Sequence, residues 1–478
     1  MKRLYSFLLP FMLVFSLFLA GCGGNTEMPA GNEVDALATM VAATVEAALD
    51  APPADAPVPT LAAPTADAPA PTLASVPTEM PASPAPAVAQ VLRVVYVKDG
   101  NLYLWTEGGG SVALTNTGDA VRVRISDDAQ VVAFVRQLDD NFFTQELWAV
   151  NTSLPYDEHL LVSFAEMDTL LAASPFPSAD GLGFNVLEWR PGTHQLGYGT
   201  VPLYEGPGSM PSEDVRFVDA DTLAKSTLFD FGAGGRFRFS PDGNQLVLST
   251  PDHISLVNVD GSNLRAEILT YPQVGTYSEY QYHPSPVWAA DSASLRVAIP
   301  PEDPLAEPAS PTVLWYIPTD GSPARQLSSI FASPFIWVDE YAFSPDLFQV
   351  AYVKDAGGNQ QELHIAGVNG TSDYVFAVGA GLFFEQWSPN SARFLYSMTG
   401  MAEQGIFLGD GLGNSYTISS NPSTVGQMNW VDNSRFLYLY QNGANWELRI
   451  SDVDGTNHAF LDTISEQYAA YDFVVADQ

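Results

Sequence analysis

The sequence predicts an all-β protein made of similar small sheets arranged in a ring. A run of β-forming residues, followed a few residues later by a second run, occurs eight times after residue 90. Before seven of these pairs lies a tight turn built on an aromatic residue, a small residue and an Asp. The repeat length of about 48 residues is typical of one β-propeller blade, which has four antiparallel strands. The predicted fold is therefore a β-propeller.

The first 21 residues have the composition of an export signal. Lys2 and Arg3 precede an almost wholly apolar stretch, and the segment is too short for a typical membrane span. It ends in Leu19, Ala20 and Gly21, and Cys22 follows directly. This ending resembles the bacterial lipobox, in which cleavage before the cysteine leaves that residue as a lipid-modified N terminus. The resemblance implies that residues 1–21 are removed and that Cys22 anchors the protein to a bilayer. The alternative is a plain secretion signal with an incidental cysteine.

Residues 22–90 form a predicted tether between this anchor and the folded part. Asn32 can cap a helix that extends to Leu49, so residues 22–50 are interpreted as the anchor and a short, weakly helical spacer. A self-associating helix is the alternative. Residues 51–90 are dominated by Pro, Ala and Thr. Because proline fixes φ and lacks an amide donor, this segment is expected to be an extended linker.

The repeated unit is clearest at residues 239–261. There the turn Phe-Ser-Pro-Asp-Gly is followed by a strand at 245–250, another at 254–258 and an Asp-Gly pair that favours a tight hairpin. The other turns begin at Ser126, Trp189, Trp288, Phe343, Trp387 and Trp430. Each turn follows one strand and precedes two more, and the hairpin after them leads into a fourth, so each unit has room for four strands.

The two ends of the repeat region complement each other. The first copy, at 94–97, has no strand and turn before it, whereas the strand-forming run at 471–475 has no partner after it. Pairing these two strands would complete the first blade and would remove two exposed sheet edges. The sequence therefore predicts eight blades over residues 91–478, closed by the N- and C-terminal strands. Seven blades are the alternative.

The turn and strand pattern of residues 239–261 resembles the repeats of TolB-like, WD-repeat-like propellers, which also occur in prolyl-oligopeptidase-type enzymes. The resemblance covers about residues 91–478. Other copies depart from it, since Arg190 replaces the Ser, and Ala289 and Ala290 replace Ser-Pro. It implies the propeller fold and is consistent with a scaffold in cell-envelope complexes. It does not specify a ligand.

Composition excludes several classes of function. The net charge of −36 would repel the phosphates of nucleic acid. Cys22 is the only cysteine, so the folded part can form neither a disulfide nor a thiolate zinc site. No second apolar run approaches the length of a membrane-spanning helix. We therefore expect a propeller outside the cytoplasm, at the cell surface or in the periplasm, held to the membrane by its lipid.

No catalytic motif or cofactor-binding motif is found. The chain has no Gly-x-Ser-x-Gly nucleophile motif, and its six histidines are not at metal-binding spacing. Five aspartates occur in the repeated turns, at Asp127, Asp242, Asp291, Asp346 and Asp432. Aspartate caps its own backbone in such turns, so we interpret these residues as structural rather than as a cation site. The sequence predicts a protein that is not an enzyme and needs no cofactor.

Long insertions are the predicted binding elements, because they exceed what closing a blade requires. They lie at residues 154–185, 201–213, 270–286 and 300–311. The third is rich in tyrosine, and the candidate contact residues are Tyr271, Tyr277, Tyr280, Tyr282 and, outside the insertions, Trp337. The predicted function is binding of an envelope protein or peptide. The alternative is a glycan-binding or carbohydrate-active propeller, with or without a metal, that uses the axial funnel.

Overall fold

Eight antiparallel sheets follow one another along the chain. The computed structural model describes residues 90–477 except 140–141, 206–209, 277–280, 333–341, 401–403, 455–457 and 465–469. All described residues belong to one unit, Ala87–Gln478. The predicted signal segment, the lipobox residues Leu19, Ala20 and Gly21, Cys22, the spacer and all but the last residue of the linker lie outside the described residues.

The first four sheets are blades 1 to 4, and each has four described strands. Blade 1 contains β1 (Gln90–Lys98), β2 (Asn101–Thr106), β3 (Gly110–Ala113) and the last strand, β31 (Tyr471–Asp477). Blade 2 contains β4 (Ala120–Ile125), β5 (Val131–Gln137), β6 (Gln145–Asn151) and β7 (Glu158–Val162). Blade 3 contains β8 (Gly181–Trp189), β9 (Gln195–Leu203), β10 (Val215–Asp219) and β11 (Lys225–Phe229). Blade 4 contains β12 (Arg236–Phe239), β13 (Gln245–Ser249), β14 (His253–Asn258) and β15 (Arg265–Thr270).

The remaining sheets are blades 5 to 8. Blade 5 contains β16 (Val287–Trp288), β17 (Ser294–Ile299), β18 (Thr312–Pro318) and β19 (Arg325–Ile330). Blade 6 contains β20 (Gln349–Gly357), β21 (Gln360–Gly367) and β22 (Tyr374–Gly379). Blade 7 contains β23 (Leu382–Trp387), β24 (Arg393–Thr399), β25 (Gln404–Asp410) and β26 (Ser415–Ser419). Blade 8 contains β27 (Val425–Trp430), β28 (Arg435–Asn442), β29 (Asn445–Asp452) and β30 (His458–Ile464). In blade 6, Phe343 also bridges Val350, at the position of an innermost strand.

The chain ends pair as predicted. β31 runs antiparallel to β1, and Leu92 lies opposite Val475 while Val95 lies opposite Asp472. The last strand thus supplies the innermost strand of blade 1. Eight blades and closure by the terminal strands are confirmed, and the seven-blade alternative is wrong.

Apolar packing between blades repeats around the ring. Among the described residues, eight clusters of buried apolar side chains form, and each joins two consecutive blades. The cluster between blades 8 and 1 places Leu92 and Tyr96 against Leu437 and Leu448. The middle strands are therefore buried on both faces, which explains the apolar runs at their centres.

One hydrogen-bond pattern holds each clear turn between the first and second strand. In blade 4, Ser240 Oγ donates to Asp242 Oδ1 at 2.5 Å and accepts from Gln245 N at 2.9 Å. The same pair of bonds recurs around Ser126, Ser344 and Ser388. The interpretation of Asp127 as the blade 2 member is wrong, because Ser126 donates to Asp128 and Asp127 instead accepts from Gly192 N in blade 3. Asp128, two residues after the serine, has the geometry that the turn requires.

The turn tryptophans connect neighbouring blades. The indole of Trp387 donates to the Ala342 carbonyl of the preceding blade at 3.0 Å. Equivalent bonds run from Trp189 to the Arg124 carbonyl, from Trp288 to the Arg238 carbonyl and from Trp430 to the Gln386 carbonyl. In each case the accepting carbonyl lies two residues before the turn serine of the preceding blade. The periodic placement of these tryptophans is therefore explained by packing between blades.

Candidate binding surface

The described parts of four long connections lie on one face of the ring. In an antiparallel meander, the links between second and third strands and the links from one blade to the next emerge at the same end of the sheet. The four connections are links of these two kinds, whereas residues 154–157 of the first predicted insertion lie between the third and fourth strands of blade 2, on the opposite face. We name them loop A (163–180), loop B (204–214), loop C (271–286) and loop D (300–311), and we call their side of blades 2 to 5 the loop face.

Direct contacts join the four loops into a continuous surface. The contacts are Glu205 N to Asp180 Oδ2 at 2.8 Å, His283 Nε2 to Glu213 Oε1 at 3.3 Å, and Gly275 N to Glu302 O at 2.7 Å. These contacts link loop A to B, B to C and C to D respectively. The His283 side chain is fully buried, so the junction of loops B and C is part of the folded structure. The loops therefore form one surface that spans four blades.

Loop A is more ordered than the sequence predicted. The segment 154–185, interpreted as one irregular insertion, contains β7, the first residues of β8 and a helix, α1 (Phe164–Ala172). A capping box begins α1, since Ser163 Oγ accepts from Glu166 N and Glu166 Oε2 accepts from Ser163 N. Met167 is buried in the cluster between blades 2 and 3. A Ser-x-x-Glu motif before apolar residues is the signal that would have identified this helix.

A groove separates loops C and D. It has a volume of about 510 Å³ and is lined by Gln273, Gly275, Pro301, Glu302, Asp303, Ala306 and Ser310. The lining combines backbone, short polar side chains and two carboxylates, without a described cation.

The predicted contact residues separate into two groups. Tyr271 is buried, and its hydroxyl donates to the carbonyls of Thr250 at 2.9 Å and His253 at 3.0 Å, which gives it a structural role. Tyr282 is half-buried near the inner end of loop C. Tyr277, Tyr280 and Trp337 lie outside the described residues.

The first strand of each blade lines the axis of the ring, and two of these inner strands carry paired arginines. Arg122 and Arg124 lie on β4, and Arg236 and Arg238 lie on β12. Burial, with a smaller contribution from Arg124, lowers the pKa of Arg122 to about 10. Its guanidinium donates to the Phe184 and Asn185 carbonyls of blade 3. Sequence reasoning missed these arginines because it followed the loops rather than the strand before each turn.

Other inner strands carry carboxylates, among them Glu188, Glu385 and Asp472. Glu188 Oε1 on β8 accepts from Phe239 N at 3.0 Å. Burial raises the pKa of Glu385 on β23, although a hydrogen bond from Ser397 lowers it. Burial also raises the pKa of Asp472 on β31, against the charge of nearby Arg124. The axis is thus lined by both signs of charge, placed on different blades.

The described histidines are dispersed rather than gathered at the axis. Their neighbours are Asn151 for His159, Asp128 and Asp221 for His194, Asp252 for His253, Glu213 for His283, Glu362 and Asp373 for His364, and Tyr438 for His458. Within the described part of the chain, no group of three His, Cys, Asp or Glu side chains could hold a metal ion. Likewise, none of the described helices is long and apolar enough to cross a membrane.

Comparison with known proteins gives structural matches only. No family model and no curated protein matches the chain. TolB from Acinetobacter baumannii is 13% identical over 59% of this chain and 62% of its own length, with a TM-score of 0.29. A eukaryotic initiation factor is 13% identical over 80% of this chain and 98% of its own length, with a TM-score of 0.45. A prolyl endopeptidase is 15% identical over 64% of this chain, with a TM-score of 0.42, and this chain covers only 46% of that enzyme. TolB proteins are thus among the solved structures that match, as the repeat motif predicted, and at these identities the likeness concerns the fold alone.

Proposed function

We propose that this protein is a lipoprotein outside the cytoplasm whose propeller binds an envelope protein or peptide and catalyses no reaction. One observation carries the binding proposal: loops A to D, each longer than blade closure requires, contact one another and form one surface on a single face. A rigid ring that presents a continuous loop surface is a common arrangement for recognition. The sequence supports the attachment, since the ending of the export signal resembles a lipobox at Cys22.

The proposed partner is a protein or peptide rather than nucleic acid. The net charge of −36 disfavours a polyanion spread over the surface, whereas a folded protein or an extended segment can match a local patch. The groove between loops C and D, about 510 Å³ in volume, is large enough for a few peptide residues. The tether would allow the loop face to reach a partner at a distance from the membrane.

Crosslinking in intact cells, followed by purification of the lipidated protein, tests this function. The informative variant replaces residues 273–281 with a short Gly/Ser linker, which keeps the structural residues Tyr271 and His283. The matched control replaces the hairpin 260–263, which lies on the opposite face of blade 4. We expect one stoichiometric partner that is lost only with the loop C change. Recovery of no specific partner, or equal loss in both variants, would exclude docking at this face.

A second test addresses the anchor. Cys22→Ser should abolish lipid attachment and should release the protein from the membrane fraction, whereas the wild-type N-terminal peptide should carry the mass of a diacylglyceryl group on Cys22. An unmodified N-terminal peptide that starts elsewhere would show that the segment is a plain secretion signal.

A further inference from the structure

Positive charge on the inner strands is concentrated in blades 2 and 4. The chain has only 19 lysines and arginines against 55 acidic residues, yet β4 and β12 each carry two arginines. The two pairs are equivalent in register. Arg124 and Arg238 lie two residues before the turn serine of their blade, and Arg122 and Arg236 lie four residues before it. Since the turns lie on the face opposite the loops, Arg122 and Arg236 are the members nearer the loop face.

Arg236 is a cation without a partner among the described residues. Its side chain is exposed to solvent, and it makes no ion pair or hydrogen bond with a described residue. Desolvation, and then the charge of Arg238, lower the pKa of its guanidinium. By contrast, Arg136, Arg216 and Arg449 each contact a carboxylate.

Arg236 lies beneath the inner end of loop C. In the sheet it is paired with Ser249, and Ser249 Oγ donates to the Pro284 carbonyl of loop C at 2.5 Å. Tyr282 of the same loop is close enough to raise the pKa of Arg236, against the larger effect of desolvation. Arg236 therefore lies at the end of β12 that is next to loop C.

A carboxylate is the ligand that matches this arrangement. A planar guanidinium forms two parallel hydrogen bonds to a carboxylate, and such charge-assisted bonds are strongest where water is partly excluded. An anion at Arg236 would also reduce the repulsion between Arg236 and Arg238, whose side chains leave the same side of β12. The nearest inner-strand carboxylate in sequence order, Glu188, already accepts a backbone hydrogen bond from blade 4.

We propose that Arg236, assisted by Arg238, captures a carboxylate of the partner that docks on the loop face. This carboxylate is either the C-terminal group of a peptide or an acidic side chain. The inference rests on the proposed docking function and specifies its chemistry: an anionic group of a peptide enters the axial channel while neighbouring residues contact loops B to D.

Peptide binding to the full-length, lipidated protein in detergent tests the proposal. Two pairs of short peptides distinguish the two sources of the carboxylate. One pair is acetyl-Ala-Ala-Ala with a free C terminus and its C-terminal amide, and the other is acetyl-Ala-Glu-Ala amide and acetyl-Ala-Gln-Ala amide. Saturation-transfer NMR gives the affinities. We expect the carboxylate member of at least one pair to bind and its neutral partner not to bind, and we expect binding to weaken as salt is added.

Arg236→Gln should reduce this affinity about tenfold or more, since a hydrogen bond to a charged group contributes about that factor. Arg325→Gln is the matched control, because it makes the same change in charge at an exposed arginine on the outer strand of blade 5. Unchanged affinity in Arg236→Gln, an equal loss in Arg325→Gln, or equal binding of neutral peptides would overturn the proposal. Should Arg236→Gln fail to fold by circular dichroism, Arg236→Lys keeps the charge and removes the planar fork, and it should still weaken binding.

The crosslinking experiment separates this inference from the proposed function. Loss of the envelope partner after shortening loop C, with retention in Arg236→Gln, would leave docking in place and would exclude carboxylate capture. Retention of the partner in both variants would exclude docking at the loop face itself. Loss of the envelope partner in Arg236→Gln, with an unchanged melting curve, supports both docking at the loop face and carboxylate capture by Arg236.

Discussion

The turn serine is the smallest unit that explains the repeat. Ser240 is fully buried, and its hydroxyl is at once a donor to Asp242 and an acceptor from the Gln245 amide. Gly243 follows at φ +68°, a left-handed conformation that glycine adopts without strain. The same conformation occurs at Ala129, Ser292 and Leu347 in other blades, where the side chain carries a β-carbon. The motif is thus a hydrogen-bond requirement that individual blades meet with different residues.

Ser240→Ala is expected to lower the free energy of unfolding by about 1–2 kcal/mol, because it leaves the half-buried Gln245 amide and the Asp242 carboxylate without their shared partner. Ser262→Ala is the control, since Ser262 also donates to an aspartate but lies in an exposed hairpin; we expect a change below about 0.5 kcal/mol. Urea denaturation followed by tryptophan fluorescence measures both. Equal shifts for the two variants would show that the buried turn network does not stabilise the fold.

His194 is expected to make stability depend on pH. Burial lowers the pKa of this ring, but hydrogen bonds and charges from Asp221 and Asp128 outweigh that effect and raise it overall. The pKa of Asp128 is lowered, since its hydrogen bonds and the charge of His194 outweigh burial. Because folding raises the pKa of His194, its contribution to stability is fully present below the unfolded pKa of about 6.5. Because folding lowers the pKa of Asp128, its contribution to stability is fully present above the unfolded pKa of about 4. The pair therefore stabilises most between these values and loses its contribution as pH rises through the folded pKa of His194.

Melting temperatures of wild type and His194→Gln at pH 5.5 and pH 8 measure this effect. The difference between the two proteins should be larger at pH 5.5. His159→Gln serves as the control, because the His159 ring faces the side-chain amide of Asn151 rather than a carboxylate. A His194→Gln deficit that is the same at both pH values would contradict the ion-pair explanation.

At the scale of elements, strands were predictable and their long connections were not. Strands repeat a local code of apolar runs and turn residues, so even the composite first blade was identified from its two unpaired halves. Helix α1 has no equivalent in the other described blades, and its capping box was overlooked inside a segment interpreted as irregular. The contacts between loops, such as Glu205 with Asp180, join residues that only the closed ring brings together. The arginine pairs of β4 and β12 escaped notice for a related reason, since the axis exists only after closure.

Helix α1 should contribute to the stability of the junction between blades 2 and 3. Met167 is 1% exposed and packs on the cluster of these blades together with Leu170 and Leu171. Met167→Ala should therefore cost about 2–5 kcal/mol of unfolding free energy. Asp168→Ala, at the exposed neighbouring position of the same helix, should change it by less than about 0.5 kcal/mol. Chemical denaturation provides both values, and similar values for the two variants would mean that α1 is not docked.

At the scale of the whole molecule, stability depends on closing the ring. The eight apolar clusters are equivalent joints, and the joint between blades 8 and 1 depends on β31, which carries Phe473 and Val475 into it. The same strand contributes Ala476 to the joint between blades 1 and 2. One strand of seven residues thus completes two of the eight joints. Without it, β1 would become an unpaired edge that faces the axis.

Removal of residues 471–478 is therefore expected to be far more damaging than its length suggests. The truncated protein should melt at a markedly lower temperature and should aggregate through the exposed edge of β1. The control removes residues 1–86, which lie outside the unit that contains the propeller, and should leave the melting temperature unchanged. Differential scanning calorimetry of the three proteins makes the comparison. If loss of β31 leaves the melting temperature unchanged, the six other joints suffice and the terminal strand is not the closure of the ring. If the temperature falls and adding a peptide of residues 471–478 restores it, closure by this strand is the step on which the fold depends, since the peptide supplies only the missing pairing and the apolar side chains of the two joints.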